Sequence, residues 1–170
     1  MLGAAGGHGD YVGNEVNALT LYDEAPRWVE LRPPTPNSDV INLTQFYLDG
    51  RPAATHTYFA TQHIRRLDRM LVMSSAGLNG DSFAAAPVGF RYSGQQRSFS
   101  FNYVARDWDS PDYVAAFPGS GDYTACLCVR HPLTDDVYYS RNYGDGWYRW
   151  TAADNRWDKL SNRTRNPWYA

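Results

Sequence analysis

An all-β domain is the fold class this sequence predicts, on three observations. Aromatic residues reach 15%, through 13 Tyr, 7 Phe and 6 Trp, and aromatic and β-branched side chains suit pleated, half-buried surfaces. The 14 Gly and 10 Pro supply many turns. Helix formers are scarce, Lys159 being the single lysine, and no window carries an apolar stripe of helical period. At 170 residues there is room for one domain, or two small ones, with a genuine core.

Taken in order, the apolar pattern predicts short strands divided by turn signals. Residues 16–21 alternate apolar and polar. Residues 62–69 read as a polar connection between strands, and residues 69–73 (Arg-Met-Leu-Val-Met) as a buried strand. Phe99-Ser100-Phe101 belongs to a second alternating piece. Residues 123–129 alternate again, with Tyr123, Ala125, Leu127 and Val129 on one face. Val137-Tyr138-Tyr139 and Trp147-Tyr148-Arg149-Trp150 follow. Between them stand Asp49-Gly50, Asn79-Gly80, Ser93-Gly94, Gly119-Ser120-Gly121 and Asp145-Gly146, which is hairpin and turn chemistry.

Three segments share one plan of strand, turn of about five residues, and aromatic strand. They are residues 15–31, 88–101 and 147–160; the first and third end alike, in Arg27-Trp28-x-x-Leu31 and Arg156-Trp157-x-x-Leu160. Gly6-Gly7 ahead of residues 16–21 and Trp28, the run from Tyr148 to Trp157, and the run from Asp49 to Tyr58 together resemble kelch repeats. The likeness is to bacterial kelch-like, galactose-oxidase-central-domain-like β-propellers. It implies a partial propeller of about three blades, each a four-stranded antiparallel sheet, in a single domain over 1–170 with approximate blades 1–45, 46–105 and 106–170. In that arrangement Trp28 and Trp157, with Phe99 or Phe101 as the weaker equivalent, pack one blade on the next. Propellers close with 4–8 blades, so three would leave open sheet faces and edges. The expectation is therefore self-association, as a homodimer completing a ring, or a piece of a longer propeller.

Other classes are excluded by composition. Sixteen Lys+Arg against eighteen Asp+Glu, a formal charge of −2, give no basic tail for nucleic acid and no polybasic membrane patch. No run approaches the roughly 20 apolar residues of a membrane helix, and the first residues lack the basic start and apolar core of a signal peptide. The chain thus reads as soluble with no address, its location undetermined. Cys126 and Cys128 are two apart, so on a strand they share a face and are badly placed to bond to each other. Asn42-Leu43-Thr44 and Asn162-Arg163-Thr164 are sequons read as chance.

Chemistry is sparse. The glycine-rich start lacks the Lys-Ser/Thr pair of a phosphate loop, and Gly119-Ser120-Gly121 is a turn rather than a nucleophile elbow. The histidines His8, His56, His63 and His131 are scattered without zinc spacing, so no metal or cofactor is expected. The copper radical site best known from the resembled group needs an adjacent histidine pair that this chain lacks. Ser140 to Trp147 looks like a degenerate Asp-box, with Asn142 and Gly146 at the altered positions; such a box is a propeller hairpin, not a catalytic centre. Residues 107–112 (Asp-Trp-Asp-Ser-Pro-Asp) place an aromatic between acids, but neighbouring loop carboxylates rarely span a sugar as glycoside hydrolysis requires. What remains is a loop face suited to a protein or carbohydrate ligand, with His8, Asp10, Tyr11, Arg51, His56, Tyr58, Trp108 and Asp109 as its candidate residues. The expectation is a non-catalytic binding or assembly module, the alternative a fragment of a sialidase-like, carbohydrate-active propeller enzyme.

Overall fold

The computed structural model of the protein describes residues 2–4, 13–41, 46–54, 61–73, 98–119, 122–142 and 146–162. Its strands form three antiparallel sheets, each a simple meander in chain order. The first contains β1 (Leu2–Ala4), β2 (Val16–Leu19) and β3 (Trp28–Arg32). The second contains β4 (Thr61–Ile64), β5 (Arg69–Val72), β6 (Phe99–Asn102) and β7 (Asp107–Trp108). The third contains β8 (Asp122–Arg130), β9 (Val137–Asn142), β10 (Trp147–Thr151) and β11 (Arg156–Ser161). The only helical pieces among the described residues are two short 3-10 turns, Asn37–Asp39 and Arg65–Leu67, and no helix there is long and apolar enough to cross a membrane. The chain is all-β, as its aromatic and turn-rich composition predicts.

The sheets meet through faces, and β5 shows why its sequence is continuously apolar. Met70, Leu71, Val72 and Met73 are all buried, although alternate residues of a strand face opposite ways. Met70 packs with Phe101 and with Val16 of the first sheet, whereas Leu71 and Met73 join Ile64, Cys128, Val137, Tyr139, Tyr148 and Trp150 against the third. The middle sheet is thus covered on both sides. Leu67 and residues 113–117 close the second cluster, with Val114 and Phe117 inserted into it. Phe117 meets Tyr139, Tyr148 and Trp157 edge-on at 5.1, 4.8 and 4.9 Å, the arrangement that ring quadrupoles favour. On its far side the third sheet turns polar, with Arg149 donating to Asp158 across β10–β11 at 2.8 Å.

Four hairpins are closed in one way. The β4–β5, β6–β7 and β10–β11 loops are residues 65–68, 103–106 and 152–155. In β8–β9, a His131 N–H to Asp136 carbonyl bond of 2.8 Å leaves residues 132–135 as the loop. The last residue of each is left-handed: Asp68, Arg106, Asp135 and Asn155, with φ of 49°, 53°, 63° and 49°. Four-residue hairpin loops are commonly built around a type I turn, and a left-handed last residue brings the chain back into the strand. Asp and Asn tolerate that conformation better than most side chains. The loops gather at one end of the stack. The Tyr103 N–H donates to the Asp68 carbonyl at 3.2 Å, that of Ala152 to the Asp136 carboxylate at 3.1 Å, and that of Arg66 to the Asp135 carboxylate at 2.8 Å.

Several sequence expectations change here. Trp28 is 58% exposed instead of packing between sheets, because it opens the edge strand β3 beside the exposed loop 21–25. Trp157 and Phe101 do pack inward, the latter fully buried. Of the polar connection expected over residues 62–69, residues 65–68 do link two strands, but residues 62–64 belong to β4, since Ile64 anchors it in the core and Gln62 donates to the Cys128 carbonyl at 3.0 Å. At the end of β8 the burial has the opposite sense to the hydropathy: Cys128 faces the core and Val129 is 60% exposed. The first sheet shows three strands among the described residues, where the resemblance implies four. Residues 88–97, including Ser93-Gly94, and the turn at Asn79-Gly80 lie outside the described residues.

Candidate functional site

Of the eight candidate residues, Arg51, Trp108 and Asp109 fall within the described residues; His8, Asp10, Tyr11, His56 and Tyr58 lie outside them. Arg51 is held by a tight turn at Asp49-Gly50, closed by bonds from the Tyr47 N–H to the Arg51 carbonyl (2.8 Å) and from the Gly50 N–H to the Tyr47 carbonyl (2.9 Å). Gly50 adopts a φ of 81°, which explains glycine at this corner. The Asp49 carboxylate accepts from the Arg51 N–H at 3.0 Å, from its Nη1 at 2.9 Å and from the Thr35 hydroxyl at 2.8 Å.

This turn is the outer part of a polar chain rooted in the interior. Asn14, 3% exposed, donates through Nδ2 to the Thr35 hydroxyl (2.9 Å) and the Pro52 carbonyl (2.8 Å), and its Oδ1 accepts from the Thr35 N–H (2.8 Å). From Asp49 the chain continues through Arg51, whose Nε reaches Asp107 Oδ1 at 3.3 Å. That same oxygen accepts from Arg32 Nε at 2.9 Å and from the Trp108 N–H at 2.9 Å. Asp107 thereby ties β3 of the first sheet, the 46–54 segment and β7 of the middle sheet together. Burying Asn14 and Thr35 is affordable only because each polar atom is satisfied in this way.

Trp108 stands opposite Phe101 in the β6–β7 ladder and meets it edge-on at 5.4 Å. Asp109 is held by the middle sheet itself: its Oδ2 accepts from Arg69 Nε at 2.8 Å and from the Ser100 hydroxyl at 2.6 Å. Arg69 also lies over the Tyr113 ring, 5.3 Å from its centre. Arg51 and Trp108 therefore converge on one carboxylate, and Asp109 is engaged separately. Arg32, Thr35 and Asn14 escaped the sequence reading, since nothing local links positions 21 and more apart. Asp107 stood in the acidic run, and only the fold gives it two arginines.

The acid run at 107–112 thus opens as strand rather than as a free turn, and both Asp107 and Asp109 carry arginine partners. Among the described residues no group of three or more His, Cys, Asp or Glu side chains gathers as a metal site. The Asp-box-like segment has its Ser140 hydroxyl donating to the Gly146 carbonyl at 3.1 Å within the β9–β10 hairpin, a structural contact. Cys128 is buried.

Titration is shifted at the joint between the middle and third sheets. Burial by itself would raise the Asp135 carboxyl, but the Arg66 N–H and the Arg130 guanidinium outweigh it and hold Asp135 below the ordinary carboxylate range. His63 is pushed below the usual histidine value by burial and by Arg130, against the opposing pull of Asp135 and Asp68. No family model, curated protein or solved structure gives a significant match to this chain.

Proposed function

We propose that the chain is a non-catalytic binding or assembly module, built as about three kelch-like propeller blades and presenting a loop face to a protein or carbohydrate ligand. The observation that carries this reading is the middle sheet buried on both faces between two other meanders. Successive propeller blades pack in that manner. The polar chain from Asn14 to Asp107 supports the binding half of the reading. It fixes charged side chains at the seam of the first two sheets with little freedom left to lose on binding.

Light scattering over a concentration series tests the assembly half. A species near twice 19.3 kDa that persists on dilution is expected if the open sheet faces close on a second copy. A folded monomer at all concentrations would overturn self-association.

A further inference from the structure

We infer that the seam centred on Asp107 is a binding site for a neutral saccharide, gripped through two adjacent hydroxyl groups; this rests on the binding-module reading and narrows its ligand. Asp107 Oδ1 is saturated by three donors, Arg32 Nε, Arg51 Nε and the Trp108 N–H. Among the described residues nothing donates to Oδ2, and the Asp107 side chain is 47% exposed. Among the described residues Arg32 spends only Nε, and Arg51 only Nε and Nη1, so within that set Arg32 Nη1 and Nη2 and Arg51 Nη2 keep donor capacity. Each guanidinium is rigid and planar. Both guanidinium groups are anchored through Nε on the one oxygen, so the two arginines and the half-exposed carboxylate form one cluster.

A row of fixed donors next to a fixed acceptor is what a vicinal diol complements. A hydroxyl both donates and accepts. One can give its proton to Asp107 Oδ2 while accepting from an arginine, and its neighbour can accept from the second arginine. Hydrogen bonds to charged groups are roughly twice as strong as neutral ones, and here the protein side is already ordered by the links back to Thr35 and Asn14. Charge selects against an ion: Arg32 and Arg51 are balanced by Asp49 and Asp107, so the seam has no uncompensated charge for a carboxylate or sulfate. A bound anion would also face the Asp107 carboxylate.

The test is calorimetric titration of the whole chain with 1,4-linked cellotetraose, maltotetraose, mannotetraose and galactotetraose. Each is used intact and after periodate cleavage and borohydride reduction, which opens vicinal diols while leaving a neutral polyol. At least one intact sugar is expected to bind, with at least a tenfold loss after treatment. Arg32→Lys and Arg51→Lys, which retain charge but lose the planar fork, are expected to weaken binding at least fivefold in chains that thermal denaturation shows still folded at the assay temperature. Equal binding of treated and intact sugar overturns the diol claim. So does tetragalacturonate binding tenfold tighter than galactotetraose, which would mark an anion site. Silence from every sugar overturns the saccharide inference. In that case the binding-module reading stands if a peptide array is bound and falls if it is not.

Discussion

Removal of the Asp135 carboxylate is the perturbation whose consequences can be worked furthest. Asp135 is 4% exposed, ends the β8–β9 loop in the left-handed region at φ 63°, and accepts from the Arg66 N–H of the middle sheet at 2.8 Å. Arg130 donates to its other oxygen. Asp135→Asn keeps the shape, the left-handed tolerance and one acceptor, but loses the charge and the second acceptor, turning an amide NH2 toward the Arg130 guanidinium; the expected cost is about 1–3 kcal/mol. Asp135→Ala orphans the Arg66 N–H at about 1–3 kcal/mol and adds about 1–2 kcal/mol for alanine in a left-handed position. The two together make about 2–5 kcal/mol, or roughly 10 °C in Tm for a chain of this size.

The pH dependence follows from the direction of the shift. Asp135 is held below its ordinary value of 3.8 in the folded state, so the unfolded chain takes up its proton first. Its stabilisation is complete above the unfolded value and is lost as pH falls through the folded one. Urea denaturation of wild type, Asp135→Asn and Asp135→Ala from pH 7 down to pH 3 measures this. The wild-type advantage over Asp135→Asn should shrink across the acid end. An alanine variant within about 0.5 kcal/mol of wild type, the size of an ordinary surface substitution, would refute the reasoning. So would a wild-type advantage over Asp135→Asn that does not change with pH.

Two further substitutions probe the frame. Gly146 has a φ of 155°, and a Cβ there would overlap the Ser161 carbonyl oxygen, whereas Gly50 at φ 81° has open space around it. Gly146→Ala should therefore cost about 2–4 kcal/mol from overlap and backbone strain together, and Gly50→Ala only about 1 kcal/mol; equal denaturation midpoints would contradict the assignment. Asn155 accepts from Trp150 Nε1 (3.0 Å) and the Ala115 N–H (2.9 Å) and donates to the Tyr113 carbonyl (2.6 Å). Asn155→Ala should cost about 2–3 kcal/mol by leaving the indole and amide unpaired, read as a lower urea midpoint with altered tryptophan emission, and a loss under 1 kcal/mol would count against the role.

What the sequence by itself determined is the class of fold and most of its strands. Period and turn chemistry are local, so residues 16–19, 69–72, 99–102 and 147–151 could be read from side-chain alternation, apolar runs and the glycines between them. The full burial of β5 was also legible, because four apolar residues in a row leave neither face for water. Tertiary structure alone decided which face of each strand lies inside. Trp28 and Val129 are exposed and Cys128 is buried, and no local pattern distinguishes these outcomes, since burial depends on where the next sheet stops. The candidate site divides in the same way. Arg51 and Trp108 stood out as an arginine beside a turn and an aromatic among acids. Their meeting at Asp107, with Arg32 from another sheet and support from buried Asn14 and Thr35, depends on partners 14 to 75 residues apart. Hydrogen bonds of that span leave no periodicity in a sequence, and they exist only once hydrophobic packing has brought the sheets together.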